Sequence, residues 1–188
     1  MTEILLARHG ETDWNRERRW QGHADPPLNA AGRRQAARLA DALAADPPTA
    51  VYTSDLARAR ETAEIVAARL GLPVAADPRL REVDVGEWSG LTAAEAEERY
   101  PEGMRRRLAG GTGWEHGESY ETMTIRVVEA LRSVAAAHDG DRVLVITHGG
   151  PMGRVWLECG LDPAARPRVA NCGVHRIEIE GATIRGLD

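Results

Sequence analysis

Two uninterrupted apolar runs, Ile4-Leu5-Leu6-Ala7 and Val143-Leu144-Val145-Ile146, constrain this chain more than any other feature. Side chains of a strand alternate between the two faces of a sheet, so a run with no polar break reads as a strand covered on both sides. That is the pattern of a parallel sheet between layers of helix. Each run ends in a histidine and a glycine: Arg8-His9-Gly10 follows the first and Thr147-His148-Gly149-Gly150 the second. Strand ends of this kind carry the chemistry of α/β proteins, and two alike predict one shared site.

The rest of the chain alternates between strand-like and helix-like patterns. A helix over 30–45, capped by Asn29, places Leu39 and Leu43 on one stripe and stops at Pro47-Pro48. A strand over 50–53 follows, then a helix to Leu70 for which Ser54 is the predicted cap. Leu72-Pro73-Val74 reads as a short strand and 80–88 as a structured loop. Thr92 and Glu95 form a capping box for a short helix ending near Tyr100-Pro101, and 102–117 shows no clear period. A helix over 119–138, a strand over 143–147, a helix from Gly149 towards Glu158 and an antiparallel edge hairpin of 174–179 with 182–187 complete the pattern. With no internal repeat or linker, this is one α/β domain over 1–188 with a mostly parallel sheet.

The net charge of −5 argues against a general nucleic-acid binder, so any anion site must be concentrated. All 24 basic residues are arginine. The missing lysine excludes Schiff-base chemistry, a Walker-type phosphate loop and a lysine general base. Cys159 and Cys172 form no CxxC pair and read as reduced, partly buried thiols; His23, His116, His138 and His175 form no zinc pattern, so no metal site is expected. No leader or membrane span is apparent, which predicts a soluble cytoplasmic protein.

Beyond the two histidine segments lie Glu11-Thr12-Asp13-Trp14-Asn15, Gln21-Gly22, Asp25-Pro26-Pro27-Leu28, Ser54-Asp55-Leu56-Ala57-Arg58-Ala59-Arg60-Glu61-Thr62, and Glu82 ahead of Gly86-Glu87-Trp88. This ordered set, from Ile4 to about Met152, resembles the histidine phosphatase superfamily, the phosphoglycerate mutase-like proteins. The resemblance implies a three-layer α/β/α sandwich with its site at the C-terminal ends of the parallel strands. It implies that His9 is the nucleophile, Glu82 the proton donor and acceptor, and His148 a charge-stabilising donor. Arg8, Asn15, Gln21, Arg58 and the Gly149 amide are the implied phosphate contacts, with no cofactor. Arg60 competes with Arg58, both standing in the first turns of one helix; the family pattern has its arginine before Ala59, which favours Arg58.

These residue types suit the chemistry. A phosphate monoester near neutral pH carries almost two negative charges and calls for fixed cations with fork-shaped donors. An imidazole titrating near 6.5 offers a neutral nitrogen at pH 7 that can attack phosphorus once its tautomer is fixed. The preferred reading is a phosphomonoesterase acting on a small phosphorylated metabolite, as a monomer or homodimer. A phosphoglycerate mutase is the alternative. Mutases of this family carry a larger insertion between the acid and the second histidine and a tail over the pocket, whereas 89–117 is short here and the sequence closes after its hairpin. A non-catalytic phospho-ligand-binding module is the third reading, disfavoured by the intact nucleophile and acid. Arg105-Arg106-Arg107 reads as a solvated surface run or as a second anion contact, and Trp114, His116 and His23 as the rim of the pocket.

Overall fold

The computed structural model describes residues 1–162 and 169–187. Its elements in chain order are β1 (Thr2–Arg8), α1 (Asp13–Arg16), α2 (Ala30–Leu43), β2 (Ala50–Thr53), α3 (Ala57–Leu70), β3 (Val74–Ala76), α4 (Ala93–Arg99), α5 (Pro101–Leu108), α6 (Tyr120–Ala137), β4 (Arg142–Thr147), α7 (Gly149–Glu158), β5 (Val174–Glu180) and β6 (Thr183–Gly186). The strands form one sheet in the order β3-β2-β4-β1-β5-β6. The first four of these are mutually parallel, while β5 runs antiparallel to β1 and β6 antiparallel to β5.

The apolar runs are buried on both faces, as their lack of polar breaks predicts. Leu5, Ala7, Leu144 and Ile146 pack with Leu39 and Ala40 of α2 and Ala59, Ala63 and Val66 of α3. Ile4, Leu6, Val143 and Val145 point the other way, onto Met123, Val127 and Leu131 of α6 and Met152 and Val155 of α7. Each such Leu or Ile contributes about 1.5–3 kcal/mol of hydrophobic stabilisation. The result is the three-layer arrangement with an antiparallel C-terminal edge.

Two local expectations are corrected and two details are added. Ser54 does not cap α3: Leu56 is the N-cap residue, without a side-chain bond, and the Ser54 hydroxyl accepts instead from the Leu56 amide. The stretch after Glu102 is not irregular throughout, because α5 starts with Pro101 at its first turn, where the missing N–H costs nothing. Gly103 and Met104 are its buried residues, too few to leave a stripe in the sequence. The loop over 80–88 is edged by 3-10 turns at Pro78–Leu80 and Gly86–Trp88. The four-residue α1, unpredicted, is held by a Thr12–Asn15 capping box.

Candidate active site

Strand register brings the two histidines together. Arg8 pairs with Thr147 across the β1–β4 ladder, and the next amide, that of His9, donates to the Thr147 carbonyl at 3.0 Å. His9 and His148 therefore leave the sheet side by side, with ring centroids 5.1 Å apart. Both are buried. The His9 segment is tied down from two sides: the Gly10 amide donates to Thr62 Oγ1 of α3 at 3.0 Å, and Asn171 Nδ2 donates to the His9 carbonyl at 3.0 Å. Gly10 also lies against the Gly32 backbone, where a Cβ would meet the Gly32 carbonyl oxygen at 2.6 Å.

A carbonyl can only accept, so the 2.6 Å contact between His9 Nδ1 and the Gly10 oxygen places the ring proton on Nδ1. Nε2 is left with its lone pair, the form that can act as a nucleophile.

Arg58 is fully buried at the start of α3, where Nη1 donates to the Ala24 carbonyl at 2.8 Å and Nη2 to the Gly22 carbonyl at 2.9 Å. Burial lowers its pKa to about 10, against the opposing pull of Glu82 and Asp25. Arg60, two residues on, points outward and pairs with Glu64 at 2.9 Å. Arg8 Nη1 donates to the Val169 carbonyl at 2.9 Å, and its Nε lies 3.7 Å from where a Cβ on Gly149 would stand. Gly149 opens α7 with His148 as its N-cap, so the first amides of that helix face the same region.

Asn15 and Gln21 are turned by Thr12, which the sequence reading passed over. The Thr12 amide donates to Asn15 Oδ1 at 3.1 Å, and the Thr12 hydroxyl donates to Gln21 Oε1 at 3.2 Å. With their oxygens held, both side chains keep NH2 groups for an anion.

Glu82 is fixed through both oxygens: Oε1 accepts from the Val83 amide at 2.9 Å and Oε2 from the Gly150 amide at 3.1 Å. Gly150 has no room for a side chain, because a Cβ there would collide with Glu82 Oε1. The neighbouring arginines do not neutralise the acid: Arg79 pairs with Asp77 and Arg81 with Asp55. The backbone of the acid loop is held by Arg126, another residue not singled out from the sequence. Its Nη1 donates to the Arg79 and Arg81 carbonyls at 2.7 Å each and its Nη2 to the Glu82 carbonyl at 2.8 Å, while Glu118 neutralises it. His23 shares the Glu82 carbonyl at 2.9 Å.

Burial, reinforced by Arg58 and Arg8, holds His9 well below the ordinary imidazole range; burial, Arg58 and His9 do the same to His148. Both rings are thus neutral in the free protein at pH 7, and the charge expected on His148 has to come with an anion. In the unfolded chain the same imidazoles take up protons near 6.5, so the unfolded state binds more protons below that value and stability is lost as the pH is lowered. Between pH 6.5 and 5 the loss is expected to approach about 1 kcal/mol per pH unit for each histidine. The arginine-paired carboxylates Glu3 and Asp55 are shifted downward and titrate below this window. Urea unfolding at pH 7.5, 6.5 and 5.5 measures it, and a flat or rising stability on acidification contradicts it.

The remaining candidates are placed elsewhere. Trp114 is not a rim residue: it is buried against Trp88, with Nε1 donating to the Glu118 carbonyl at 2.8 Å. His116 is exposed, with Glu87 at 3.6 Å. His138 caps α6 and meets the Tyr52 hydroxyl at 3.0 Å, and His175 lies against Trp156. Both cysteines are free thiols, that of Cys172 pushed up to about 11 by burial. Among the described residues no group of three His, Cys, Asp or Glu side chains is placed to hold a metal ion, and no helix is long and apolar enough to cross a membrane.

Comparison with known proteins agrees with this fold. The family model described as the histidine phosphatase superfamily (branch 1) matches residues 4–186. A phosphoglycerate mutase-like protein 4 of Arabidopsis thaliana is 44% identical over 180 residues, covering 92% of this chain and 77% of the relative. Among solved structures, YhfR of Bacillus stearothermophilus superposes with a TM-score of 0.89 at 35% identity, covering 100% of this chain and 96% of that one. A mycobacterial glucosyl-3-phosphoglycerate phosphatase complexed with VO3 gives a TM-score of 0.85 at 29% identity, covering 98% of this chain and 95% of that one.

Proposed function

Because this chain belongs to the histidine phosphatase superfamily, branch 1, we propose that it is a metal-independent phosphomonoesterase acting on a small phosphorylated metabolite through a phosphohistidine. The observation that carries the reading is the His9 tautomer: Nδ1 is committed to the Gly10 carbonyl, so a lone pair on Nε2 is presented beside Arg8, Arg58 and His148.

The ester phosphate sits between Arg8, Arg58, His148, the amide of Gly149 and the NH2 groups of Asn15 and Gln21. Its charge draws a proton onto His148, which then donates to a phosphoryl oxygen as charge builds there. His9 Nε2 attacks phosphorus, the bond to the ester oxygen breaks, and Glu82 gives the departing alkoxide its proton. A water then enters, gives a proton to the Glu82 carboxylate and attacks the phosphohistidine. The N–P bond breaks, inorganic phosphate leaves, and His9 and Glu82 regain their starting forms. The two protein amides on Glu82 keep its carboxyl aimed at the oxygen that changes partners.

Turnover of p-nitrophenyl phosphate in the presence of a chelator tests the reading; no turnover across pH 5 to 8 overturns it in favour of a phospho-ligand-binding module. Glu82→Gln is expected to slow alkyl phosphates by about 100-fold or more and to slow the aryl ester, whose phenolate needs little protonation, much less. Equal losses contradict the acid role.

The names of the curated relatives favour a second reading, a phosphoglycerate mutase. It differs in whether water or a second substrate hydroxyl takes the phosphoryl group. Between Glu82 and the start of α6 the chain carries only a 3-10 turn and the short helices α4 and α5, which supports access for water. Assaying 3-phosphoglycerate isomerisation in parallel with its hydrolysis separates the two.

A further inference from the structure

The peptide that sets the tautomer of His9 is held at its other end as well. Its carbonyl, that of Gly10, accepts from His9 Nδ1, and its amide, that of Glu11, donates to Gln35 Oε1 at 2.8 Å. An N–H can only donate, so the Gln35 side chain must present its oxygen here. The preceding peptide is fixed in the same way, with Asn171 on the His9 carbonyl and Thr62 on the Gly10 amide. Gln35 is a half-buried residue of α2, and its contact with the site is through this backbone amide.

Local packing explains why the Gly10–Glu11 peptide needs a hold. Gly32 stands one turn before Gln35 on the same face of α2, and a Cβ on it would lie 2.7 Å from the Glu11 nitrogen. Helix α2 is therefore pressed against this segment, and Gly10 lacks a Cβ because the Gly32 carbonyl occupies that space. The same absence gives Gly10 wide backbone freedom, so the plane of the peptide after it is not fixed by local sterics. Against its rotation stand the His9 ring and Gln35. The Asn29 amide donates to the Glu11 carbonyl at 2.9 Å, one peptide further on. A hydrogen bond at the Glu11 amide also polarises the peptide, which makes the Gly10 carbonyl a better acceptor. Where that carbonyl is weak or turned away, the form of His9 protonated on Nε2 competes, and a proton then covers the atom that must attack phosphorus.

We propose that Gln35 is a positioning residue for the nucleophile: by accepting from the Glu11 amide it fixes the peptide whose carbonyl keeps the His9 proton on Nδ1. The consequence for turnover rests on the phosphomonoesterase reading above, whereas the tautomer does not.

Gln35→Met keeps the length of the side chain and removes the acceptor. In single-turnover release of p-nitrophenolate with protein in excess, it is expected to slow the maximal rate about tenfold or more, while the dissociation constant for inorganic phosphate stays within about threefold. The tautomer is read from nitrogen-15 spectra of histidine-labelled protein, with His9 assigned by the signals missing from His9→Ala. The parent is expected to show a protonated Nδ1 and an unprotonated Nε2, and in Gln35→Met the two signals are expected to move towards each other. Gln35→Glu offers a carboxylate oxygen to the same amide and is expected to keep the parent tautomer and a rate within about threefold of the parent. If Gln35→Met does not fold, Gln35→Asn, which withdraws the oxygen by one methylene, takes its place with the same expectations. An unchanged rate, an unchanged tautomer, a loss that falls on phosphate affinity, or a loss that Gln35→Glu shares overturns the role of Gln35. If the parent itself releases no nitrophenolate, the phosphomonoesterase reading falls, and the tautomer comparison alone decides the proposal.

Discussion

His9→Ala is expected to lower turnover by at least about 10⁴-fold, because it removes the atom that forms the covalent intermediate and leaves only the anion-binding groups. The same substitution is expected to remove the base-stable, acid-labile phosphoryl adduct, which mass spectrometry after an alkaline quench detects in the parent enzyme. Folding is expected to survive. Among the described residues the His9 ring makes one hydrogen bond, to its neighbour's carbonyl, and the segment is held independently through Gly10 and Asn171. Normal activity in a folded His9→Ala protein sinks the nucleophile assignment. His148→Ala provides the contrast: with His9 intact, the adduct still forms, more slowly.

Arg58→Ala is expected to reduce kcat/KM by about 10²–10³-fold, the scale of losing one preorganised donor to a charged transition state. Arg60→Ala is expected to stay within about twofold, since its partner is Glu64 on the helix surface. A ligand that binds the folded protein raises its melting temperature by an amount that grows with the logarithm of its affinity, and inorganic phosphate is such a ligand on this reading. Arg58→Met, which keeps the bulk of the side chain, is therefore expected to lose most of that rise while remaining folded. The reverse order, with Arg60 the sensitive residue, transfers the phosphate contact by two positions along α3.

The contrast between these arginines shows how far a sequence reaches. Both occupy the first turns of one helix, and spacing alone left the choice open; the family pattern favoured Arg58. In the structure the difference is physical: the Arg58 side chain turns inward to the Gly22 and Ala24 carbonyls, and Arg60 turns out. The arginine run at 105–107 behaved in the same way, with two members paired at the surface and the third under α5. Charge runs do not show in a sequence which member faces inward when the helix carrying them has only two buried residues to mark its face.

Residues that support the site were the least legible. Thr62, Arg126, Gly150 and Asn171 act on groups far along the chain, as when Arg126 gathers the carbonyls of Arg79, Arg81 and Glu82. Hydrogen bonds to backbone carbonyls leave no trace in residue type or period. Trp114 misled for a related reason: the glycines just before it suggested a mobile rim, but the nearest of them, Gly113, makes room for packed indoles, a Cβ there colliding with Trp88.

What the sequence determined by itself was the sheet and the place of its chemistry. Continuous apolar strands must be covered on both faces, and a histidine with a glycine after each marks where the backbone leaves the sheet. What the tertiary structure alone decided was the state of those groups. The register of β1 on β4 set the rings 5.1 Å apart, the Gly10 carbonyl chose the tautomer of His9, and burial beside Arg58 and Arg8 made both imidazoles neutral. Tautomer and protonation are set by distances and desolvation, which arise only when segments remote in the chain are brought into contact.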